Sequence, residues 1–364
     1  MDIAIIGAST GQKVLCETAK AMGLSTICFS TPEHAICRDL VDRFYPISIL
    51  DTDRIIDICK RENIRGVVSN GSDLTAEISA IVSEKLGLVG NSSQSIKSIK
   101  NKEWVRQHTN DIPNLAFTPF RLYDGGTPQL FPCVVKPVSG SSKLGVSFAA
   151  NAKEFKKAVA YSQEQGQEII IEAYIPGKEY SVETLSFNGI HNVIQITEKK
   201  TTGFPHFVEL EHHQPATLPA ELLIILESVV SGILNNVGFR NGASHIEIKI
   251  DDSFNIHLIE INVRGGGDHI ADTLIKLSTG YDYIRGMIEI ALASFIPPTI
   301  RFSRFAGIYF LTKQTERLLP YFSSDFYADW LYERQLFSSS LTVSKGNRDN
   351  NGYLIYSSDH KINL

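Results

Sequence analysis

Glu247 and Glu260 sit in the middle of two isoleucine-rich runs, HIEIKI and IHLIEIN, separated by the turn-like DDSFN and followed by VRGGG. If Glu247 lies directly opposite Glu260, Lys249 faces Leu258, Asp251 faces Ile256, and 252–255 closes a four-residue loop. The same register sets Ile246 against Ile261, Ile248 against Ile259 and His245 against Asn262. Polar then meets polar on one face and isoleucine meets isoleucine on the other, and a slip of one residue would destroy both matches. This register brings two carboxylates to a Cβ separation of ~4.5–5.5 Å, where like charges repel. Either the face is solvated and neutralised by Lys249 and Arg264, or a divalent cation sits between the carboxylates. Two Glu and one Asn (Glu247, Glu260, Asn262) offer the hard oxygen ligands that Mg²⁺ or Mn²⁺ takes together with substrate phosphates.

Groups suited to phosphate lie upstream. In VVKPVSGSSKLG, Lys136 ends an apolar strand and a small-residue loop follows, comprising Ser139, Gly140, Ser141, Ser142 and Gly145. Small residues let backbone N–H groups approach phosphate oxygens, and the lysine adds a point charge. No GK[ST] opens a helix here, so this is not a Walker A loop. Taken alone, Lys136 reads equally as an ordinary strand-end lysine. The run EAYIPGKE (172–179) follows a strongly apolar strand and could offer its backbone to an adenine edge and an acidic side chain to ribose hydroxyls.

The elements that must position these groups are legible in outline. Short apolar runs at Ile3–Gly7, Thr26–Ser30, Phe44–Ile49 and Val67–Asn70 alternate with helical segments at 10–22, 52–61 and 72–86, which implies a helix-covered parallel sheet. GASTGQ after the first run reads as a tight turn, since it lacks the full GxGxxG spacing. A serine-capped helix is expected over 92–110, then strands around a helix near 152–163, and a hairpin marked by Asn188-Gly189. A helix near 218–236, helices near 268–277 and 282–294, and strands at Ala306–Leu311 and GYLIYSS complete the chain. At 364 residues, two or three structural units are expected. A net charge of -5 argues against nucleic acid as the main partner, and no run approaches the ~20 apolar residues of a membrane span. MDIAIIGAST reads as a first strand rather than a secretory signal. Five cysteines without CxxC spacing suit reduced thiols and a cytoplasmic protein.

In this order, the strand-end lysine with its loop, EAYIPGKEYSVE, the paired glutamates and E-x-N-x-R before glycines resemble the ATP-grasp superfamily, over essentially the whole chain. ITEKKTTGFPHFVELEHHQPATLP and EINVRGGGDHIADTLIKLSTGYD are closest to its L-amino acid ligases (dipeptide synthetases). The usual Asn-Pro-Arg is Asn262-Val263-Arg264 here, which keeps the chemical side chains and drops a rigid residue. The resemblance implies an α/β protein with the ATP-grasp fold. Its expected units are an N-terminal Rossmann-like parallel-sheet domain (1–95), a helical linker (96–120), a small lid (121–178), a large antiparallel-sheet grasp subdomain (179–300) and a C-terminal part packed on it (301–364).

It also implies residue roles. Lys102 and Lys136 would contact ATP phosphates under the mobile loop Ser139–Gly145, with a solvated lysine the alternative for Lys102. Glu172, Ala173, Tyr174 and Ile175 would form the adenine hinge, and Glu179 would bind ribose. Glu247, Glu260 and Asn262 would hold two Mg²⁺ ions, with Mn²⁺ the other candidate. Arg264 would act on the acyl phosphate, and Gly265, Gly266 and Gly267 would admit the substrate carboxylate. Glu209, Glu211, His212 and His213 are candidates for the amine's proton acceptor, against a bland reading of HH as a polar surface loop. The implied reaction joins a small-molecule carboxylate to an amine through an acyl phosphate, with ADP and phosphate released; homodimers are common among look-alikes, and neither nucleic acid nor membrane is expected as a partner. The rival readings are a purine-pathway or carboxylase-like ligase and a non-catalytic nucleotide-binding module.

Overall fold

Four short strands open the chain: β1 (Ile3–Ile6), β2 (Thr26–Ser30), β3 (Arg43–Pro46) and β4 (Gly66–Val68). They form a parallel sheet in the order β3-β2-β1-β4. β1 is apolar throughout and buried, as a strand covered on both faces must be. The structure, a computed structural model, describes residues 1–364 except 34, 141, 142, 167, 205, 206, 301, 302, 345, 347 and 348. Helices α1 (Thr10–Ala21), α2 (Thr52–Arg61) and α3 (Asp73–Leu86) connect the strands. The GASTGQ turn is filled by the chain itself: the Gln12 amide donates to the Asn70 carbonyl, and its oxygen accepts from the Ser9 N–H at 3.0 Å.

The helix expected over 92–110 is broken. It forms α4 (Ser93–Ile99) and α5 (Lys102–His108), because the Asn101 side chain accepts the Trp104 N–H at 2.9 Å and starts a new helix. The break matters, since the Lys102 N–H donates to the Val138 carbonyl at 3.0 Å and ties α5 to the loop after Lys136.

A second sheet contains β5 (Phe120–Leu122), β6 (Cys133–Pro137), β7 (Ser147–Ala149) and β8 (Ile169–Ala173), antiparallel in the order β5-β8-β6-β7. The Asn-capped helix α6 (Ala152–Gln163) buries Phe155, Ala158 and Val159 against Val135, Ile169 and Ile171.

The third sheet has eight strands: β9 (Lys178–Phe187), β10 (Ile190–Thr201), β11 (Glu209–Gln214), β12 (Gly242–Ile250), β13 (Ile256–Asn262), β14 (Phe305–Leu311), β15 (Leu331–Leu336) and β16 (Gly352–Ser358). Their order is β13-β12-β9-β10-β11-β14-β16-β15. Residues after 300 therefore continue this sheet rather than only packing on it. Helix α7 (Ala220–Asn236) covers one face, with Leu226, Val229, Val230 and Ile233 in one core with Val182, Ile246 and Ile248.

Two local expectations fail. The bland reading of HH as a polar surface loop fails, since both residues lie in the buried strand β11, with His212 fully buried and His213 3% exposed. In the β12–β13 hairpin, Glu247 does face Glu260, Ile246 faces Ile261 and His245 faces Asn262, but a bulge follows. Ile248 pairs with Leu258, Lys249 with His257 and Ile250 with Ile256, so Ile259 is the extra residue and the loop spans 251–255. The Asp251 carboxylate fixes that loop by accepting the Ser253 and Asn255 N–H groups at 2.9 Å, and Arg106 Nη2 takes the Ile259 carbonyl at 2.9 Å. The five cysteines are free and buried. Among the described residues, no helix is long and apolar enough to cross a membrane.

Candidate functional site

Period-two alternation gives the large sheet one polar face opposite α7. On β9 it aligns Glu179, Ser181 and Glu183, and β12 runs beside them with Lys249 opposite Glu179, Glu247 opposite Ser181 and His245 opposite Glu183. β10 sets Lys199 opposite Glu179, and β11 sets His212 opposite Lys199. β13 completes the face with Glu260 and Asn262.

Across from this face stands the second sheet with its strand-end lysine. Lys136 Nζ lies 2.7 Å from Glu172 Oε2, and Arg106 Nε lies 2.8 Å from Glu172 Oε1, all three side chains being nearly inaccessible. Burial alone would raise the Glu172 carboxyl, but Arg106 and Lys136 outweigh it and hold it at about 2. Burial also pushes the Lys136 ammonium down, with Glu172 opposing. Two cations on one carboxylate leave this group a net positive charge beside the cavity that Lys136 lines. Glu172 therefore spends its side chain on Lys136 and Arg106. The Tyr174 N–H is likewise taken, by the Pro132 carbonyl at 3.1 Å. The Ile175 carbonyl accepts from Lys249 Nζ at 3.1 Å, and that ammonium lies 4.9 Å from the Tyr174 ring centroid.

The carboxylates of Glu179, Glu209 and Glu247 converge, with ligand oxygens within 4.8 Å of one another. Two lysines hold them together. Lys199 Nζ lies 2.7 Å from Glu247, 3.1 Å from Glu209 and 3.6 Å from Glu179. Lys143, from the small-residue loop, lies 2.6 Å from Glu209 and 3.6 Å from Glu179. Burial would lower both lysines, but the carboxylates outweigh it and hold both above their ordinary range. Glu260 has its own partner, Lys102 Nζ at 2.9 Å. The like charges opposed across the hairpin are thus each met by a different lysine.

His245 lies between two acids. Its Nδ1 hydrogen-bonds Glu183 Oε1 and its Nε2 lies 3.3 Å from Glu247 Oε1. Burial would lower the imidazole, yet Glu183 and then Glu247 hold it at about 9, above 6.5. A folded value raised above the unfolded one gives stability that is full below pH 6.5 and lost as pH rises through about 9. Thermal melts of the natural protein should accordingly decline over that window more steeply than those of His245→Gln. Parallel pH slopes for the two proteins would place the protonation elsewhere.

One cavity is lined by Lys102, Lys136, Gly140, Lys143, Glu172, Ala173, Tyr174, Ile175, Glu179, Glu247, Lys249 and Glu260. A neighbouring one shares Lys102, Gly140 and Glu260 and adds Ser139 and Asn262. The structure thus gathers most of the expected residues around one space. Lys102 is not a solvated lysine, since its side chain is 12% exposed and bound to Glu260. Ser141 and Ser142 lie outside the described residues. Gly145 has φ +74° at the end of the loop. Arg264 donates to the Gly265 carbonyl at 3.0 Å and lies 3.7 Å from Asp73 at the start of α3.

Other expectations separate. A bulge on β11 pairs Thr201 with Glu209 and Lys200 with Glu211. Glu209 reaches the Lys199 cluster, whereas Glu211 and His213 bond each other at 3.2 Å, with His213 also on Tyr356 and Glu211 on Arg317. His213 is therefore a structural residue held by those bonds, and Glu211 is committed with it. The Gly266 N–H donates to Glu183 Oε2 at 3.0 Å, so it is not free for a substrate. A Cβ there would lie 2.8 Å from His245 Nδ1, which is why glycine is needed. Gly265 packs equally tightly on Ala271, and only Gly267 faces open space.

Sequence reasoning missed Lys199, Lys143, Arg106, Glu183 and the part played by His245. Period two from Glu179 through Ser181 leads directly to Glu183, so that signal was present. Arg106 and the two lysines carry no local mark, because their partners lie on other elements. Lys199 meets carboxylates from other strands of its own sheet, while Arg106 and Lys143 reach theirs from outside it.

Glu247 and Glu260 line one cavity and Glu260 and Asn262 its neighbour, all hard oxygen donors of the kind a divalent cation takes. Comparison with known proteins agrees with the fold. Residues 129–272 match the family described as ATP-grasp domain. The chain is 24% identical over 339 residues to carnosine synthase 1 of Gallus gallus, covering 82% of this chain and 36% of that relative. It thus spans just over a third of that relative's length. An L-amino acid ligase from Bacillus licheniformis superposes with a TM-score of 0.80 at 22% identity, covering 99% of this chain and 93% of that one. The biotin carboxylase domain of Hydrogenobacter thermophilus 2-oxoglutarate carboxylase, solved with MgADP and bicarbonate, superposes with a TM-score of 0.72 at 16% identity, covering 98% and 86%.

Proposed function

We propose that the chain, whose residues 129–272 match the ATP-grasp domain, is an ATP-dependent carboxylate–amine ligase that releases ADP and orthophosphate. The observation that carries this reading is the convergence of Lys102, Lys136, Glu247 and Glu260 on one cavity between the second and third sheets. A module that only bound nucleotide would not need acidic metal ligands, phosphate-directed lysines and Arg264 together.

A carboxylate is a poor acyl donor, and phosphorylation by ATP converts its oxygen into a leaving group that an amine can displace. Negative charge develops in both steps, so positioning and electrostatics are the main demands on the protein. Lys136, pinned by Glu172 with Arg106 behind it, presents a fixed positive charge to phosphate oxygens. Lys102 reaches the same space from α5. Glu247, Glu260 and Asn262 are assigned as ligands of two Mg²⁺ ions, with Mn²⁺ the alternative; bound there, the metal neutralises phosphate charge. Arg264 is assigned to the carbonyl oxygen during amine attack. The loop after Lys136 would exclude water, which otherwise hydrolyses an acyl phosphate. Amino acids, or a small acid and an amino acid, are the proposed substrates. Five buried free thiols suit a reducing compartment, and the reading places the protein in the cytoplasm.

The test is phosphate release with Mg²⁺ and ATP across paired amino acids, then with aminoimidazole- and glycinamide-type amines. ADP and orthophosphate are the expected products. AMP and pyrophosphate would replace this reading with an adenylating enzyme.

A further inference from the structure

Just beyond the three glycines, Asp268 and His269 are consecutive non-glycine residues in the left-handed region, at φ +52° and +62°. Such conformations are uncommon outside glycine, although Asp, Asn and His tolerate them best. The turn points the Asp268 carboxylate back towards β11, where its Oδ2 lies 3.7 Å from His212 Nε2. The His212 side chain is fully buried, with Phe310 packed edge-on at 5.6 Å, and neither ring nitrogen has a hydrogen-bond partner. A buried imidazole left in this state costs free energy unless a partner completes it. Asp268 itself is 38% exposed, beside the open space in front of Gly267.

Against burial, His212 and then Lys199 and His269 hold the Asp268 carboxyl below its ordinary range, yet the last two have partners of their own. Lys199 is engaged by Glu179, Glu209 and Glu247, and His269 lies 3.6 Å from Asp272. Among the described residues, no lysine or arginine lies within ion-pair distance of Asp268. A half-exposed carboxylate backed by an unsatisfied imidazole, at the end of the face that carries Glu247 and Glu260, lacks a cation.

We propose that Asp268, positioned by His212, receives the ammonium group of the amine substrate, and that the protein selects amines that arrive as cations, such as amino acids. This rests on the ligase reading and deepens it. Bound ammonium would draw the carboxylate into place and give His212 a partner for its ring N–H. Asp268 is then a binding residue and His212 a positioning residue.

The experiment compares two nucleophiles with the full-length protein, ATP, Mg²⁺ and an acid that supports phosphate release. One is an amino acid, an ammonium ion at neutral pH; the other is hydroxylamine, which is largely uncharged there and traps an acyl phosphate as hydroxamate. Asp268→Asn and Asp268→Gly both accept the left-handed backbone, and the glycine variant relieves its strain, so one folded variant is secure. Both should raise the KM for the amino acid at least about tenfold, the scale of a lost charged hydrogen bond. The KM for ATP and the rate of hydroxamate formation should change little by comparison. His212→Gln should reproduce part of the KM increase with the same selectivity for the charged amine. Equal losses with both nucleophiles, or no change with either, would overturn the inference alone. If the natural protein forms neither amide nor hydroxamate with any acid, the ligase reading falls and takes this inference with it.

Discussion

Glu260→Ala should reduce ATP-dependent phosphate release by about a thousandfold, equivalent to ~4 kcal/mol of transition-state stabilisation. Glu260 stands opposite Glu247, on an edge strand that also carries His257 and Asn262. Its carboxylate borders both cavities. Removing it would leave the proposed metal site with one carboxylate and would free Lys102 to swing away. Folding should be little affected. The side chain is 28% exposed, and a partly exposed pair such as Lys102–Glu260 is worth at most about 1 kcal/mol. Loss of the repulsion from Glu247 acts in the other direction. Phosphate release and a thermal melt on the same preparation check both halves. Full turnover with Mg²⁺ would show that Glu260 holds no metal needed for the reaction.

Glu172→Ala should instead act on stability, lowering it by about 3–5 kcal/mol, because it leaves Lys136 and Arg106 buried without their shared carboxylate. It would also release the bulge-holding arginine, which spans Glu172 and the Ile259 carbonyl. The same triad predicts a sensitivity to acid. The Glu172 carboxyl is held at about 2 against an ordinary 4.5, so its contribution is full above 4.5 and is lost as pH falls towards 2. Urea unfolding at neutral pH and at pH 3–4 should therefore show a larger gap between natural protein and variant at neutral pH. A neutral-pH difference below about 1 kcal/mol would mean that water, rather than Glu172, compensates the two cations.

Much of the machinery was legible because it obeys local periodicities. The alternation of HIEIKI and IHLIEIN set Glu247 against Glu260 without any tertiary information. An apolar strand ending in Lys136 before a small-residue loop carried its own signal. The β/α alternation of the first hundred residues likewise specified a parallel sheet, since continuous apolar runs can be buried only between helices.

What the sequence did not decide are the departures from period and the partnerships across sheets. A bulge at Ile259 depends on Arg106, more than a hundred residues earlier. Another, on β11, sends Glu209 into the site while Glu211 and His213 go to the opposite side with Tyr356 and Arg317. Lys199 and Lys143 found their carboxylates, and Asp268 found His212, only once β9 to β13 and the loop after Lys136 were brought together. A local pattern fixes which way a side chain points along its own strand. Which opposite charge it meets there is set by strand order and by single-residue bulges, and these follow from how the whole sheet minimises buried, unpaired polar groups.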